Sequence, residues 1–162
     1  MSAVEMLRRD QDFRLLRAEE DALTNSHWCF MHARRFPRET GYRACFSSHL
    51  IKEVREFQKR TADKLTASAT HGDSRLAHVV LASDADVFNL GGDLDLFCRL
   101  IRERNREHLL AYARQCVEGV HAFHAHLNRN AHSIALVQGD ALGGGFEAAL
   151  SCQTIVAEEG VG

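Results

Sequence analysis

The apolar positions of this chain change their spacing several times, and each change marks an element. Residues 13–17 (Phe-Arg-Leu-Leu-Arg) and 27–32 (His-Trp-Cys-Phe-Met-His) are short aliphatic or aromatic segments that predict strands. A polar stretch over 34–42, carrying Pro37 and Gly41, predicts a loop. From Ser48 the spacing is helical: Leu50, Ile51, Val54, Phe57 and Thr61 share one face, with Ser48 as the N-cap. Small and polar residues over 67–74 predict the loop that follows. Residues 76–82 (Leu-Ala-His-Val-Val-Leu-Ala) form a compact apolar run, as expected of a strand buried on both faces. Turn-forming residues fill 83–93. Next, Leu109, Ala113, Cys116, Val117, Val120, Phe123 and Leu127 make one apolar stripe of a long helix. The strand period returns at 133–137; a glycine-rich turn, a short helix at 144–151 and a last strand at 154–157 complete the pattern. Strands alternating with helices predict α/β architecture.

Length and composition narrow the picture. A chain of 162 residues fits one domain, 1–162, and can bury a core without disulfide staples. Twenty Lys and Arg against 22 Asp and Glu leave a net charge of -2, which lacks the basic footprint of a nucleic-acid binder. Arg8, Arg9, Asp10, Asp12 and Arg14 interrupt the first residues, so no secretory signal is expected there. No apolar run reaches the ~20 residues of a membrane span. Cys29, Cys45, Cys98, Cys116 and Cys152 are scattered without a C-x-x-C pair, as expected of buried free thiols in a reducing cytoplasm.

Two segments carry candidate chemistry, and both follow a predicted strand. The first is Phe88-Asn89-Leu90-Gly91-Gly92-Asp93-Leu94; the second runs from Gly139 through Gly143-Gly144-Gly145 to Phe146-Glu147. A glycine cluster opening a helix presents unpaired N–H groups at the positive end of the helix dipole. Phosphate fits poorly, because no Gly-Lys-Ser/Thr or third spaced glycine follows and Glu147 would repel it. A developing oxyanion on an ester or thioester carbonyl fits better, with Glu147 as proton carrier. An equal alternative is that Glu147 merely stabilises its helix as a first-turn acid.

Other clusters read more plainly. Asp84, Asp86, Asp93 and Asp95 suit turn capping better than calcium, since Phe88 and Leu90 stand where oxygen ligands are needed. His121, His124, His126 and His132 lack cysteines or acids at ligand spacing. Phe88, Phe97 and Phe146 could line an acyl tunnel, but core packing is the expected role. Arg99, Arg102, Arg104 and Arg106 could dock an acidic carrier, although Glu103 and Glu107 favour an ordinary solvated face. Ser83 and Ser151 lie outside any Gly-x-Ser-x-Gly elbow.

With these glycine motifs, their order and the long helical region between them, the chain resembles the crotonase (enoyl-CoA hydratase/isomerase) superfamily. Residues 78–97 and 120–159 are most similar to the synthases of diffusible signal factor, bacterial enzymes that make cis-2-unsaturated fatty acid signals for quorum sensing. The resemblance implies a spiral of ββα turns and an oxyanion hole from the N–H groups of Leu90 and Gly144. It makes Glu147 an acid/base carboxylate and puts Phe88, Gly91, Gly143 and Phe146 against substrate. It implies dehydration of a 3-hydroxyacyl thioester, on acyl carrier protein or CoA, then thioester hydrolysis, with no cofactor. A cytoplasmic homotrimer or dimer of trimers is implied for the full-length protein, together with a regulatory partner such as the sensor kinase of the signalling system. An ordinary enoyl-CoA hydratase/isomerase and a non-catalytic acyl- or partner-binding homologue are the alternatives.

One departure matters. The family's second glutamate falls beyond Gly162, and Glu158 and Glu159 come too early to replace it. The chain therefore reads as an N-terminal portion without the family's C-terminal turns and helices. Alone, it is expected to expose apolar surface and to be inactive or poorly stable.

Overall fold

The computed structural model describes residues 7–10, 13–33 and 42–162. The loop expected at 34–42 lies outside the described residues except for Tyr42. The first strands are β1 (Leu7–Asp10), β2 (Leu16–Asp21) and β3 (Ser26–Met31), followed by helix α1 (Ser48–Thr70) and strand β4 (Ala77–Ser83). Helices α2 (Leu94–Arg102) and α3 (Arg106–His124) come next, then β5 (Ala131–Val137), α4 (Gly144–Leu150) and β6 (Thr154–Ala157). The six strands among the described residues join one sheet in chain order; β1–β2 and β2–β3 pair antiparallel, and β3 through β6 pair parallel. Each parallel step needs a crossover, and the intervening helices supply it. This mixed sheet with helical crossovers is the α/β architecture expected.

Residue spacing explains the layers. β4 is central, and Val79, Val80, Leu81 and Ala82 are all buried, so its continuous apolar run serves both faces. β5 alternates: Ala131, Ser133, Ala135 and Val137 point into the core, while the residues between them are half-buried. α1 lays Leu50, Val54 and Phe57 over the sheet beside Cys29 and Met31 of β3 and Leu16 of β2. β6 is an edge strand with every side chain exposed. Leu142, Phe146 and Leu150 are also exposed.

Boundaries moved where polar chemistry outweighed pattern. The strand expected at 13–17 begins at Leu16 and continues into charged residues to Asp21. The N–H groups of Arg14 and Leu15 instead donate to the Glu53 carboxylate of α1, at 2.9 and 2.7 Å. Glu20 is held in the strand by His27 and Lys64, which keep its carboxyl down at about 2. The expected loop at 67–74 starts later, because α1 runs to Thr70 and its threonine hydroxyls donate back to carbonyls one turn earlier.

Ser47, not Ser48, caps α1, its hydroxyl accepting the Leu50 N–H at 3.2 Å. Ser47→Ala should therefore cost about 1 kcal/mol in a denaturant melt. Ser48→Ala should stay within ~0.5 kcal/mol, and the reverse order would return the cap to Ser48.

The long stripe at 109–127 also differs from expectation. Only Phe123 and Leu127 of it are buried, and Val117 is exposed. Much of the stripe faces a cavity instead of a packed neighbour. Cys29, Cys45 and Cys152 are buried, Cys98 is exposed and Cys116 is half-buried; all five are free thiols.

Candidate active site

The two glycine segments meet at the ends of the parallel strands. The chain leaving β4 and the chain leaving β5 run side by side, bridged in parallel at Asn89 and Ala141. The Asp140 carbonyl accepts the N–H groups of Phe88 and Asn89, and the Asn89 carbonyl accepts that of Leu142 at 2.9 Å. Approach this close excludes side chains. A Cβ on Gly145 would sit 2.1 Å from the Asn89 carbonyl oxygen, and one on Gly139 2.3 Å from that of Asp86. Gly91 has φ +88 and a Cβ there would meet the Leu142 carbonyl oxygen at 2.7 Å, so only glycine fits the turn.

A second bridge fixes the outer side of the first segment. Phe46 pairs with Gly92, its N–H donating to the Gly91 carbonyl at 2.7 Å. The buried Tyr112 of α3 completes this bridge. Its hydroxyl donates to the Phe46 carbonyl and accepts the Asp93 N–H at 3.2 Å. Phe97 meets the Tyr112 ring edge-on at 5.1 Å between centroids. Asp93 then caps α2, accepting the Leu96 N–H at 3.0 Å, which is the capping role expected for that acid. Asp84 instead makes a two-pronged ion pair with Arg17, both contacts at 2.8 Å.

This arrangement decides which N–H groups are available. The Leu90 N–H donates to the Ala44 carbonyl at 2.8 Å. It is therefore spent on the fold, which corrects the donor expected from the motif. Gly92 differs: neither its N–H nor that of Gly144 meets an acceptor among the described residues. The two lie close together, since a Cβ on Gly144 would stand 3.6 Å from the Gly92 nitrogen. Gly144 opens α4, so its N–H is one of the orphan donors every helix start presents.

Both donors line a cleft of about 540 Å³ between α1, α3 and α4. Its walls are largely apolar, from Ile51, Val54, Leu81, Phe97, Val120 and Phe123. Glu147 projects into it from one helical turn beyond Gly144, a spacing that puts both on one face of α4. Glu147 is the one carboxylate lining the cleft among the described residues. Arg55 and Gln58 brace the wall, reaching the Glu118 and Gly119 carbonyls of α3 at 3.2 and 2.8 Å. A half-buried, preorganised pair of donors beside a carboxylate can polarise a carbonyl and move a proton next to it.

Other expected site residues lie elsewhere. Phe88 is completely buried in the core and lies outside the cleft, because its backbone is pinned to Asp140 behind the turn. Phe146 is half-exposed on the far face of α4, one residue out of phase with Glu147. Gly91 and Gly143 shape the two turns, at φ +88 and +48, instead of lining the cleft. Of the histidines, His121 and His124 line the cleft, whereas His132 in β5 bonds to the Thr154 hydroxyl at 2.8 Å. Arg99 and Arg102 end α2, Arg104 lies in the exposed turn that follows, and Arg106 opens α3. Asn89 and Gly92 belong to the first glycine segment but carry no site role in the sequence reading, and Tyr112 lies outside both segments. The adjacent pair Gly91-Gly92 was the available signal, since a positive-φ glycine reverses which neighbour faces the cleft.

No family model matches the chain, and no curated protein matches it. Solved structures do. An enoyl-CoA hydratase from Shewanella pealeana superposes with TM-score 0.70 at 17% identity, covering 94% of this chain and 49% of its own. Pseudomonas aeruginosa DspI gives TM-score 0.67 at 21% identity, over 94% and 52%. Human enoyl Coenzyme A hydratase domain-containing protein 3 gives 0.68 at 20% identity, over 91% and 49%. This chain spans about half the length of the solved structures it matches. Over that span, the chain has the crotonase fold of the enoyl-CoA hydratases.

Proposed function

We propose that this chain carries the carbonyl-polarising half of a crotonase-type acyl-thioester hydratase or dehydratase. The observation that supports it is the pair of unpartnered N–H groups, Gly92 and Gly144, beside Glu147 in an apolar cleft. The thioester oxygen lies between the two donors and the acyl chain follows the apolar wall. The Glu147 carboxylate takes the proton from C2, giving an enolate whose charge the donors stabilise. The C3–O bond then breaks, and Glu147 delivers a proton to the departing hydroxyl so that water leaves.

The finer reading is a synthase of the diffusible-signal type acting on a carrier-bound 3-hydroxyacyl thioester. There water then adds to the enoyl carbonyl, the same donors hold the tetrahedral oxyanion, and the C–S bond breaks to release thiol and a cis-2-unsaturated acid. The motif wording of residues 78–97 and 120–159 supports this subgroup. Trimeric assembly and a sensor-kinase partner belong to the same reading. A binding-only reading has its own support, because the described residues place one carboxylate in the cleft, not two.

The deciding experiment incubates the protein purified from its native cells in D2O with 3-hydroxyacyl thioesters on CoA and on acyl carrier protein. Exchange of the C2 proton is expected, with free unsaturated acid accumulating from the carrier substrate. An equilibrium of enoyl- and 3-hydroxyacyl-CoA without free acid would make it a plain hydratase. Tight thioester binding with no exchange would establish the binding-only reading, and absence of both would overturn the proposal.

A further inference from the structure

Behind the two donors lies a buried polar chain that the reaction itself does not use. Asn89 is completely buried. Its backbone holds the second glycine segment through Asp140 and Leu142. Its side-chain Oδ1 accepts the Gly91 N–H at 2.8 Å and so holds the first segment. One residue thus ties together the two strands of chain that carry Gly92 and Gly144.

The orientation of that side chain is forced. The Gly91 N–H can only donate, so the amide oxygen must face it and the amide NH2 must face the other way. There it meets Nε2 of His32 at 3.1 Å. An amide NH2 only donates, so this ring nitrogen must be bare and the proton must sit on Nδ1. Nδ1 lies 2.7 Å from the Tyr42 hydroxyl, which accepts from it. Burial pushes the imidazole down to about 4, so the ring is neutral as this pattern requires. His32 stands just beyond β3 at φ +59, a left-handed backbone that a non-glycine residue adopts at some cost. Strain and burial of a polar ring would otherwise disfavour histidine here, and the bond to Asn89 is what offsets them.

We infer that His32 and Asn89 are positioning residues: neutral His32, protonated at Nδ1, locks the Asn89 amide, and Asn89 sets the spacing of the Gly92 and Gly144 donors. The inference rests on the proposed carbonyl-binding function of that pair. Protonation of the ring would set an Nε2–H against the NH2 and drive the amide to turn, and loss of the ring would leave the amide held at one end only; either lets the two segments part.

Three chains test it: wild type, His32→Leu and His32→Gln. Leucine removes the acceptor, glutamine offers one at a similar reach, and both meet the same left-handed backbone, so strain cancels in the comparison. The probe is octanoyl-CoA labelled with 13C at its thioester carbonyl. The infrared stretch of the bound carbonyl should fall in frequency with wild type, return towards its free value with His32→Leu and fall again with His32→Gln. Turnover should follow, kcat dropping by on the order of 10²-fold in His32→Leu with little change in KM. A shift that survives in His32→Leu would overturn the inference. So would 15N spectra of the unliganded chain showing the His32 proton on Nε2, a result independent of any activity. Wild type that binds the thioester without shifting it would instead remove the oxyanion function, and the inference with it.

Discussion

Exchanging Glu147 for glutamine should lower kcat on an acyl thioester by ~10²–10⁴-fold, the usual worth of a positioned acid or base. The fold should survive unchanged. Among the described residues no hydrogen bond or ion pair holds the Glu147 carboxylate, which is exposed to the cleft. Its contribution to the helix dipole is ~0.3–1 kcal/mol, and only that part is at risk. The two roles of this acid are thereby separable. A catalytic Glu147 gives a dead enzyme with a normal melt and near-normal thioester affinity. A purely helix-stabilising Glu147 gives full turnover and a slightly lower melting temperature, and that result would end the catalytic assignment.

Adjacent glycines of the second segment should fail in opposite ways. Gly144→Ala meets only ordinary contacts, 3.6 Å or more, and has no positive φ to strain. Alanine is also the better helix former, so the variant should fold at least as well as wild type. Its methyl, however, points at the Gly92 nitrogen, into the space a carbonyl oxygen would occupy. Turnover should fall by ~10²–10³-fold, as when one oxyanion donor is lost. Gly145→Ala forces a methyl to 2.1 Å from the Asn89 carbonyl oxygen, a backbone atom that cannot swing aside. That cost should be at least ~3 kcal/mol, the upper end of the usual overpacking range. For a domain stable by ~5–15 kcal/mol this is a large share, so loss of soluble protein is expected. Circular dichroism and thioester turnover on both variants distinguish the cases. Equal behaviour of the pair would mean that Gly144 does not face a ligand.

Local chemistry made the elements readable. Strand and helix differ in period, so β3, β4, β5, α4 and β6 lay within a residue or two of their expected places. The glycine clusters were legible for the same reason, since a turn that only glycine can make leaves its mark in composition. Glu147 could be placed beside Gly144 because a helix turn brings those positions onto one face. Each of these depends on neighbours in the chain.

What depended on contacts distant in sequence could not be read this way. The Leu90 N–H was taken by Ala44, 46 residues earlier, which left the Gly92 N–H, and not that of Leu90, without an acceptor among the described residues. Phe88 and Phe146 look alike in the sequence, yet one is sealed in the core and the other left open, according to which strand each segment leans on. The stripe on α3 is apolar because it faces a cleft, and periodicity cannot distinguish a cleft from a core. Tyr112 and His32 gain their roles only when folding brings them to Phe46 and Asn89. Periodicity along the chain determined which segments are strands, helices and turns. The tertiary structure alone decided which backbone groups remain free, because a hydrogen bond is assigned by whatever partner packing brings within 3 Å.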